Sequence, residues 1–175
     1  GIGIVLDGVF SHTGSDSRYF NREGRYGEGG AYRDPNSPYR CWYDFGPQYK
    51  GGYRSWWGFE TLPEVNEETP SYVEFITGPG GVIDTWLRRG AAGFRLDVAD
   101  ELPDEFIEKV RAAVKRVSPE KFLLGEVWED ATTKFGFNKR RTYLLGKGLD
   151  SVMNYPFKNA VLEFVKGKPA EQAMT

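Results

Sequence analysis

The sequence predicts an α/β fold in which the strands of a parallel sheet alternate with helices. Short apolar stretches of strand length recur along the chain, segments with apolar residues at helical spacing lie between them, and acidic residues stand where three of the stretches end. Such alternation implies parallel strands with right-handed crossovers. It leaves two closures open, a doubly wound sheet and an eightfold barrel, of which this chain would supply about half.

The first predicted element is an apolar strand, and the long segment after it shows no regular secondary-structure pattern. A buried strand is predicted at residues 1–10, which begin with a continuous apolar run. No strand or helix period is sustained from residue 11 to 69, a stretch rich in Gly, Pro, Asn and Tyr. A loop of that length in a compact domain is usually functional or a small subdomain. We therefore predict an inserted subdomain at residues 13–69 and a β/α barrel portion made of residues 1–12 and 70–175.

Regular alternation resumes after Pro70. The predicted elements are a helix that ends at Gly90 with Val82, Ile83, Trp86 and Leu87 on one face, a strand at Gly93–Val98, a helix that begins at Pro103, a strand at Phe122–Trp128, a weaker helix at about 131–146, a strand at Leu149–Tyr155 and a helix at Asn159–Val165. The Gly-Pro-Gly-Gly run at residues 78–81 is interpreted as a turn rather than a phosphate cradle.

Composition and charge disfavour several kinds of partner. The formal net charge is −2 and the basic residues are scattered, so nothing favours nucleic acid or an anionic membrane. No apolar run approaches the roughly 18 residues that span a bilayer. The single cysteine, Cys41, excludes an internal disulfide and fits a reducing compartment, so a cytoplasmic location is expected. Because the chain opens on an apolar strand without an initiator Met, we expect an internal piece of a longer protein.

Acidic residues end three consecutive predicted strands, at Asp7, Asp97 and Glu126. Function collects at the C-terminal ends of strands in parallel β/α folds. Any one of these residues could be a structural cap, but three at equivalent positions favour a site. Asp97 and Glu126 follow neighbouring strands, whose ~4.8 Å spacing suits the ~5–5.5 Å separation of the two carboxyl groups in a retaining glycosidase. Arg95 shares the strand face of Asp97 and is expected to keep that carboxylate ionised.

Two further residues are predicted beside these carboxylates. Trp128 shares the strand face of Glu126, where it would either stack on a sugar or fill the core. His12 could ligate a metal together with Asp7, but it is the only histidine and no cysteine cluster accompanies it. A zinc site is therefore disfavoured, and a neutral hydrogen-bonding role fits His12 better. Walker and Rossmann glycine patterns and a Gly-x-Ser-x-Gly elbow are also absent, which disfavours an unrelated α/β hydrolase.

At these residues the sequence resembles the α-amylase family, glycoside hydrolase family 13. Asp7–His12 resembles the family segment at the end of barrel strand three, Gly93–Glu101 the segment with the nucleophile after strand four, and Gly125–Trp128 the segment with the acid/base on strand five. Leu62–Asn66 resembles a segment that marks the neopullulanase and oligo-1,6-glucosidase members. Met153–Pro156 is similar to neopullulanases and cyclomaltodextrinases. The match covers nearly the whole chain, in the right order.

The resemblance implies part of a (β/α)8 TIM barrel, about strands three to six, with a long irregular insert after the first of them. It implies a retaining enzyme that cleaves α-1,4 and in some members α-1,6 glucosidic bonds in maltodextrin, pullulan, cyclodextrin or starch-like glucans. Asp97 is then the nucleophile, Glu126 the general acid/base, and Arg95 the residue that positions Asp97. The substrate-binding residues that it implies are Asp7, His12, Arg95, Trp128 and Glu101.

Two departures from the family concern calcium binding and the third catalytic carboxylate. Ser11 stands where many amylases have an asparagine that binds calcium, so no cofactor is expected and calcium is disfavoured. The family segment with a third carboxylate lies beyond Thr175, so the chain alone is expected to be inactive. The expected partner is an α-glucan or maltooligosaccharide, and a homodimeric parent protein is compatible with the resemblance. The alternative is a non-catalytic, amylase-like binding or structural protein, although such relatives typically lose one of the acids.

Overall fold

The architecture is a parallel sheet with helices between its strands and a long irregular segment after the first strand. A computed structural model describes residues 1–173. The four strands of the sheet are β1 (Val5–Gly8), β2 (Gly93–Leu96), β3 (Phe122–Gly125) and β6 (Ser151–Val152). Each strand pairs in parallel with the next of these in chain order. A doubly wound sheet reverses its strand order at a switch point, whereas this order never reverses, as in a barrel.

The remaining regular elements connect or follow these strands. They are the helices α1 (Pro70–Thr77), α2 (Val82–Arg88), α3 (Asp104–Val117), α4 (Tyr155–Val165) and α5 (Ala170–Ala173), and an antiparallel hairpin of β4 (Phe135–Gly136) and β5 (Lys139–Arg140). The turn predicted at residues 78–81 separates α1 from α2. No helix within residues 1–173 combines the length and apolarity that crossing a membrane requires.

Helix α3 shows why the predicted apolar stripe forms a helix here. Its buried side chains are those of Phe106, Ile107, Val110, Ala113 and Val114. Acidic residues occupy its first turn and basic residues its last, which complements the helix dipole. Burying an aliphatic or aromatic side chain of this kind contributes ~1.5–3 kcal/mol relative to exposure. The helix is therefore held chiefly by its packing against the sheet and against α1 and α2.

The close approach of β2 and β3 depends on one glycine. Gly93 lies opposite Phe122 in the register. A Cβ atom on Gly93 would meet the carbonyl oxygen of Phe122 at 2.0 Å, so no larger residue fits without moving one of the strands. The pairing of β2 with β3 therefore requires glycine at the first position of their register.

Residues 13–69 contain three short 3₁₀ turns and isolated bridges. Phe20 is fully buried, and its ring packs on Tyr43 and Tyr53 with centroid distances of 4.9 and 4.7 Å. Trp42 packs on Tyr72 of α1 at 5.1 Å. Many of the aromatic residues of this segment therefore form a core that continues into the helices.

Several predicted bounds differ in the structure. The first strand covers only Val5–Gly8 of residues 1–10. The predicted strand at Leu149–Tyr155 has two paired residues, and α4 begins four residues earlier than expected. It begins early because Asn154 accepts a hydrogen bond from the backbone N–H of Phe157 at 3.0 Å and so caps the helix.

The predicted helix at about 131–146 is wrong, because turns and the β4–β5 hairpin occupy this segment. Phe137 and Asn138 both have left-handed backbones, with φ of 52° and 59°, and close a two-residue turn. The predicted apolar face of α2 is also wrong at Trp86, which is 46% exposed. Its ring lies 5.2 Å from the guanidinium of Arg89.

Candidate active site

The register of the sheet brings Asp97 and Glu126 to the same edge. Leu96 lies opposite Gly125, and the next residue on each strand is one of the two acids. The backbone ladder continues through both, because Asp97 N–H donates to the carbonyl of Gly8 at 3.2 Å and Glu126 N–H to that of Leu96 at 2.9 Å. Both side chains therefore leave neighbouring strands at the C-terminal edge, where β/α barrels carry their sites.

Arg95 joins three carboxylates at this edge. Its Nη1 donates to Oδ1 of Asp7 and to Oδ1 of Asp97, each at 2.6 Å, and its Nη2 lies 2.9 Å from Oε2 of Glu126. Burial lowers the pKa of Arg95, but the three carboxylates outweigh it and the pKa is raised. One permanently charged guanidinium therefore holds Asp97 and Glu126 side by side, as the alternating strand faces predict.

Glu126 is almost fully buried, at 8% exposure, and both of its oxygens have partners. Oε2 also accepts from the backbone N–H of Val98 at 3.1 Å, and Oε1 accepts from the Tyr155 hydroxyl at 3.0 Å. Burial raises the pKa of Glu126, but hydrogen bonds from Val98, Trp128 and Tyr155 and the charge of Arg95 lower it, and the lowering prevails. Glu126 is accordingly ionised in this arrangement.

The turn after Asp97 is built on an unusual residue. Val98 has φ of 40°, a left-handed backbone that β-branched residues rarely adopt and that costs about 1–3 kcal/mol. The turn is closed by a hydrogen bond from Glu101 N–H to the Val98 carbonyl at 2.8 Å. The same turn directs the Val98 N–H toward Glu126, so the strained backbone contributes a fixed donor to the site.

His12 lies beside the carboxylates as a neutral base. Its Nδ1 is 2.9 Å from the Ser11 hydroxyl, and its ring centroid is 5.5 Å from that of Trp56. Burial lowers the pKa of His12 more than the charges of Asp97 and Glu101 raise it. At neutral pH the imidazole is therefore uncharged and able both to donate and to accept a hydrogen bond.

The residues present do not fit the calcium site known in many amylases. The Ser11 hydroxyl is buried and lies against the ring of His12. Within residues 1–173, no three His, Cys, Asp or Glu side chains are grouped so that they could hold a metal ion.

The carboxylate of Glu101, predicted to bind substrate, already has two partners. Trp56 Nε1 donates to Oε2 of Glu101 at 2.7 Å, and Trp57 Nε1 donates to Oε1 at 3.0 Å. The two indoles are stacked, with centroids 5.1 Å apart and planes 16° apart. Trp57 is 66% exposed and meets Trp128 edge-on at 5.7 Å. Trp128 is 36% exposed, which places it on the surface of this aromatic cluster rather than in the core.

A model of the alpha-amylase catalytic domain matches residues 1–175. The chain belongs to the α-amylase family. An amylopullulanase of Thermoanaerobacter thermohydrosulfuricus is 38% identical over 190 residues, covering 96% of this chain and 12% of that protein. A cyclomaltodextrinase of a Bacillus species is 34% identical, covering 94% of this chain and 27% of that protein.

A solved structure agrees with this assignment. The protein Ttha1563 from Thermus thermophilus has a TM-score of 0.74 at 38% identity, covering 95% of this chain and 33% of that chain. This α-amylase-family chain therefore spans about an eighth of the amylopullulanase and a third of the Thermus protein. The predicted partial barrel and the predicted relation to cyclomaltodextrinases are confirmed.

In this α-amylase-family site, sequence reasoning misses two contacts of Glu126. It places Tyr155 in a strand, whereas this residue starts α4 and contacts Glu126. The second contact is made by the backbone N–H of Val98, and no side-chain type in the sequence could indicate it. The only hint of Tyr155 in the sequence is the similarity of Met153–Pro156 to family members, which gives no geometry.

Proposed function

We propose that the whole protein that carries this chain is a retaining glycosidase that cleaves α-glucosidic bonds. The observation that carries the proposal is the single guanidinium of Arg95, which holds the carboxylates of Asp97 and Glu126 together at the C-terminal edge of a parallel sheet. Because this chain spans only part of each relative's length, the activity is proposed for the whole protein rather than for these residues alone.

In the first step, Glu126 first takes up a proton, against the charge of Arg95 that favours its ionised form. Asp97 then attacks the anomeric carbon while Glu126 gives this proton to the glycosidic oxygen. The carbon–oxygen bond to the leaving sugar breaks, and the glucosyl group is left as an ester on Asp97. In the second step, Glu126 takes a proton from water, which attacks the same carbon and releases Asp97 as a carboxylate. Two inversions give net retention, and a sugar hydroxyl in place of water gives transglycosylation.

The other residues support these steps. Arg95 keeps Asp97 oriented and compensates its charge, and Asp7 holds the same guanidinium nitrogen, Nη1, at 2.6 Å. His12, neutral and next to Asp97, would bind a hydroxyl group of the sugar at the cleavage point. Each of these contacts fixes geometry before the reaction begins, which lowers the barrier without reorganisation.

The substrate class follows from the relatives and from the aromatic cluster. The names of the relatives, amylopullulanase and cyclomaltodextrinase, support pullulan, cyclodextrin and linear maltodextrin as substrates. The bonds cleaved would then be α-1,4 and α-1,6 linkages. Stacked tryptophans such as Trp56 and Trp57, with Trp128 beside them, offer apolar faces to sugar rings. We propose that residues 13–69 act as a small subdomain that carries this cluster over the mouth of a barrel formed in part by residues 1–12 and 70–175.

The test uses the whole protein and three variants. Glu126→Gln is expected to lower kcat on maltodextrin by about 10²–10⁴-fold, because the general acid is lost. Asp97→Asn is expected to lower it at least as far, because no covalent ester can form. Glu108→Gln, an exposed carboxylate on α3, is the matched control and should be unchanged. The anomer first released should be α, as seen by NMR.

Three results would contradict the proposal. Full activity of Glu126→Gln would rule out Glu126 as the acid/base. Release of the β-anomer would rule out a retaining mechanism. Binding of maltodextrin and pullulan without turnover by the unaltered protein would favour the non-catalytic alternative.

A further inference from the structure

The two oxygens of Glu126 have chemically different partners. Oε2 faces the backbone N–H of Val98 at 3.1 Å and Nη2 of Arg95 at 2.9 Å. Both of these groups can only donate hydrogen bonds. Oε1 faces the hydroxyl of Tyr155 at 3.0 Å. Trp128 also hydrogen-bonds to Glu126, and its indole N–H can likewise only donate. A phenolic hydroxyl can donate or accept, because its hydrogen rotates about the C–O bond.

The fold sets the position of Tyr155. The backbone N–H of Met153 donates to the carbonyl of Gly125 at 2.9 Å, so the chain after β6 runs alongside the end of β3. Two residues later, α4 starts at Tyr155, with Asn154 as its cap and a proline in its first turn. Tyr155 therefore stands on the first turn of a capped helix, directly beside the residue that follows β3.

This asymmetry decides where a proton on Glu126 can reside. A proton on Oε2 would point at the Val98 N–H or at the Arg95 guanidinium, donor against donor, and would lose at least one hydrogen bond. A proton on Oε1 meets the Tyr155 hydroxyl, which can turn and accept. Oε2 thus remains an acceptor in both protonation states, and Oε1 is the oxygen that gains and loses the proton.

We propose, resting on the retaining mechanism proposed above, that Tyr155 is a positioning residue that holds Oε1 of Glu126 as the proton-delivering oxygen. When Glu126 is ionised, the Tyr155 hydroxyl donates to Oε1. When Glu126 is protonated, the hydroxyl rotates and accepts from the Oε1–H until the glycosidic oxygen takes up that proton. The sugar takes the proton only from Oε1, and Tyr155 itself exchanges none with it.

The ionisation of Tyr155 agrees with this role. Burial and the adjacent Glu126 carboxylate raise the pKa of Tyr155. The phenol is therefore neutral throughout the range in which a glycosidase works, and it acts as a hydrogen-bond partner rather than as a base.

Tyr155→Phe in the whole protein tests the proposal, because it removes only the hydroxyl. Turnover of maltodextrin, whose sugar leaving group needs a proton, is expected to fall about 10- to 100-fold. Turnover of a dinitrophenyl α-glucoside, whose leaving group needs none, is expected to change by less than about threefold. The alkaline limb of kcat/KM should move to higher pH, since loss of a donor to the ionised carboxylate raises the pKa of Glu126.

Tyr26→Phe is the matched control, because Tyr26 is 58% exposed. Equal losses on both substrates with an unmoved alkaline limb would overturn the proposal and make Tyr155 a structural residue. An inactive unaltered protein would reject the proposed function and this inference with it. An active protein in which Tyr155→Phe behaves like Tyr26→Phe would reject this inference alone. Circular dichroism of each variant verifies that it is folded.

Discussion

The carboxylate of Glu101 shows how neighbours decide what a single residue can do. An unpaired carboxylate at the mouth of a site would bind sugar hydroxyls directly. Here its two oxygens accept from the indole N–H groups of Trp56 and Trp57, so its action on a glucan passes through the tryptophans. Trp57 has a left-handed backbone, with φ of 50°, and is largely exposed, so Glu101 is a main restraint on its orientation.

Glu101→Gln is therefore expected to weaken glucan binding rather than chemistry. A glutamine keeps one acceptor oxygen but turns an amide donor toward the second indole N–H, so one hydrogen bond is lost. We expect KM for long maltodextrins to rise about three- to tenfold with kcat unchanged, the signature of lost uniform binding. Steady-state kinetics of the whole protein on maltodextrin and on maltotriose measures this.

The double variant Glu101→Gln with Trp57→Ala provides the control. If Glu101 acts through Trp57, its substitution has little further effect once that indole is gone. Additive effects would show that Glu101 contacts the sugar itself. Unchanged affinity for long and short glucans in both single variants would mean that these tryptophans serve only as core.

The predictable part of the site is the part set by local geometry. Arg95 and Asp97 share a face because strand side chains alternate, and Asp97 and Glu126 meet because parallel strands end together. The partners of Glu101 lie 44 and 45 residues before it, in a segment without periodicity. Nothing local in the sequence could place them.

At the scale of elements, the β4–β5 hairpin is tied to the turn that follows Asp97. Arg141, just after the hairpin, has a fully buried side chain. It donates to Oδ1 of Asp104 at 2.6 Å and to the carbonyls of Asp100 and Leu102 at 2.8 and 2.6 Å. Its guanidinium also lies 4.5 Å from the ring centroid of Tyr143. The Arg141 side chain thus links the segment between β3 and β6 to the segment between β2 and α3 by hydrogen bonds.

Arg141→Ala is expected to destabilise the whole protein by about 3–5 kcal/mol, because it removes one partner of a buried ion pair and leaves two carbonyls without a donor. Arg141→Lys should cost less, since a lysine keeps the charge but not the planar fork that reaches three acceptors. The midpoint of urea unfolding, followed by tryptophan fluorescence, measures both. Arg140→Ala is the control, because Arg140 is exposed and its guanidinium donates to the Thr132 carbonyl. Equal midpoints for Arg141→Ala and Arg140→Ala would show that Arg141 does not stabilise the protein through these contacts.

Helix α3 and the hairpin show why some elements can be predicted and others cannot. The stripe in α3 repeats over 14 residues, and packing follows the same pattern. The hairpin has two-residue strands and turns at Phe137 and Asn138 without a glycine. Its stability comes from distant partners, such as Asp104 and Glu105 for Lys139. A local pattern cannot reveal contacts of that kind, which is why the sequence favours a helix there.

At the scale of the whole molecule, the open edges of the sheet determine whether the chain associates with other copies. Within residues 1–173, β1 and β6 each pair on one side only. Large apolar side chains near these edges and on α4 are exposed, with Ile2 at 98%, Ile4 at 65% and Val165 at 74%. Exposed strand edges and apolar patches of this kind promote association.

We therefore expect the 175-residue chain, expressed alone, to aggregate and to show no glucan turnover, while the whole protein is active. Closing a barrel pairs both edges and covers the apolar side chains of α4, which adds burial that offsets chain entropy. The family resemblance also places a third carboxylate, which assists the transition state, beyond these residues. Size-exclusion chromatography and assays on maltodextrin, pullulan and cyclodextrin, run side by side on both proteins, test this. The Asp97→Asn chain serves as the control for contaminating host enzymes. Monomeric chain with turnover that Asp97→Asn abolishes would show that two carboxylates and an open sheet are sufficient for catalysis.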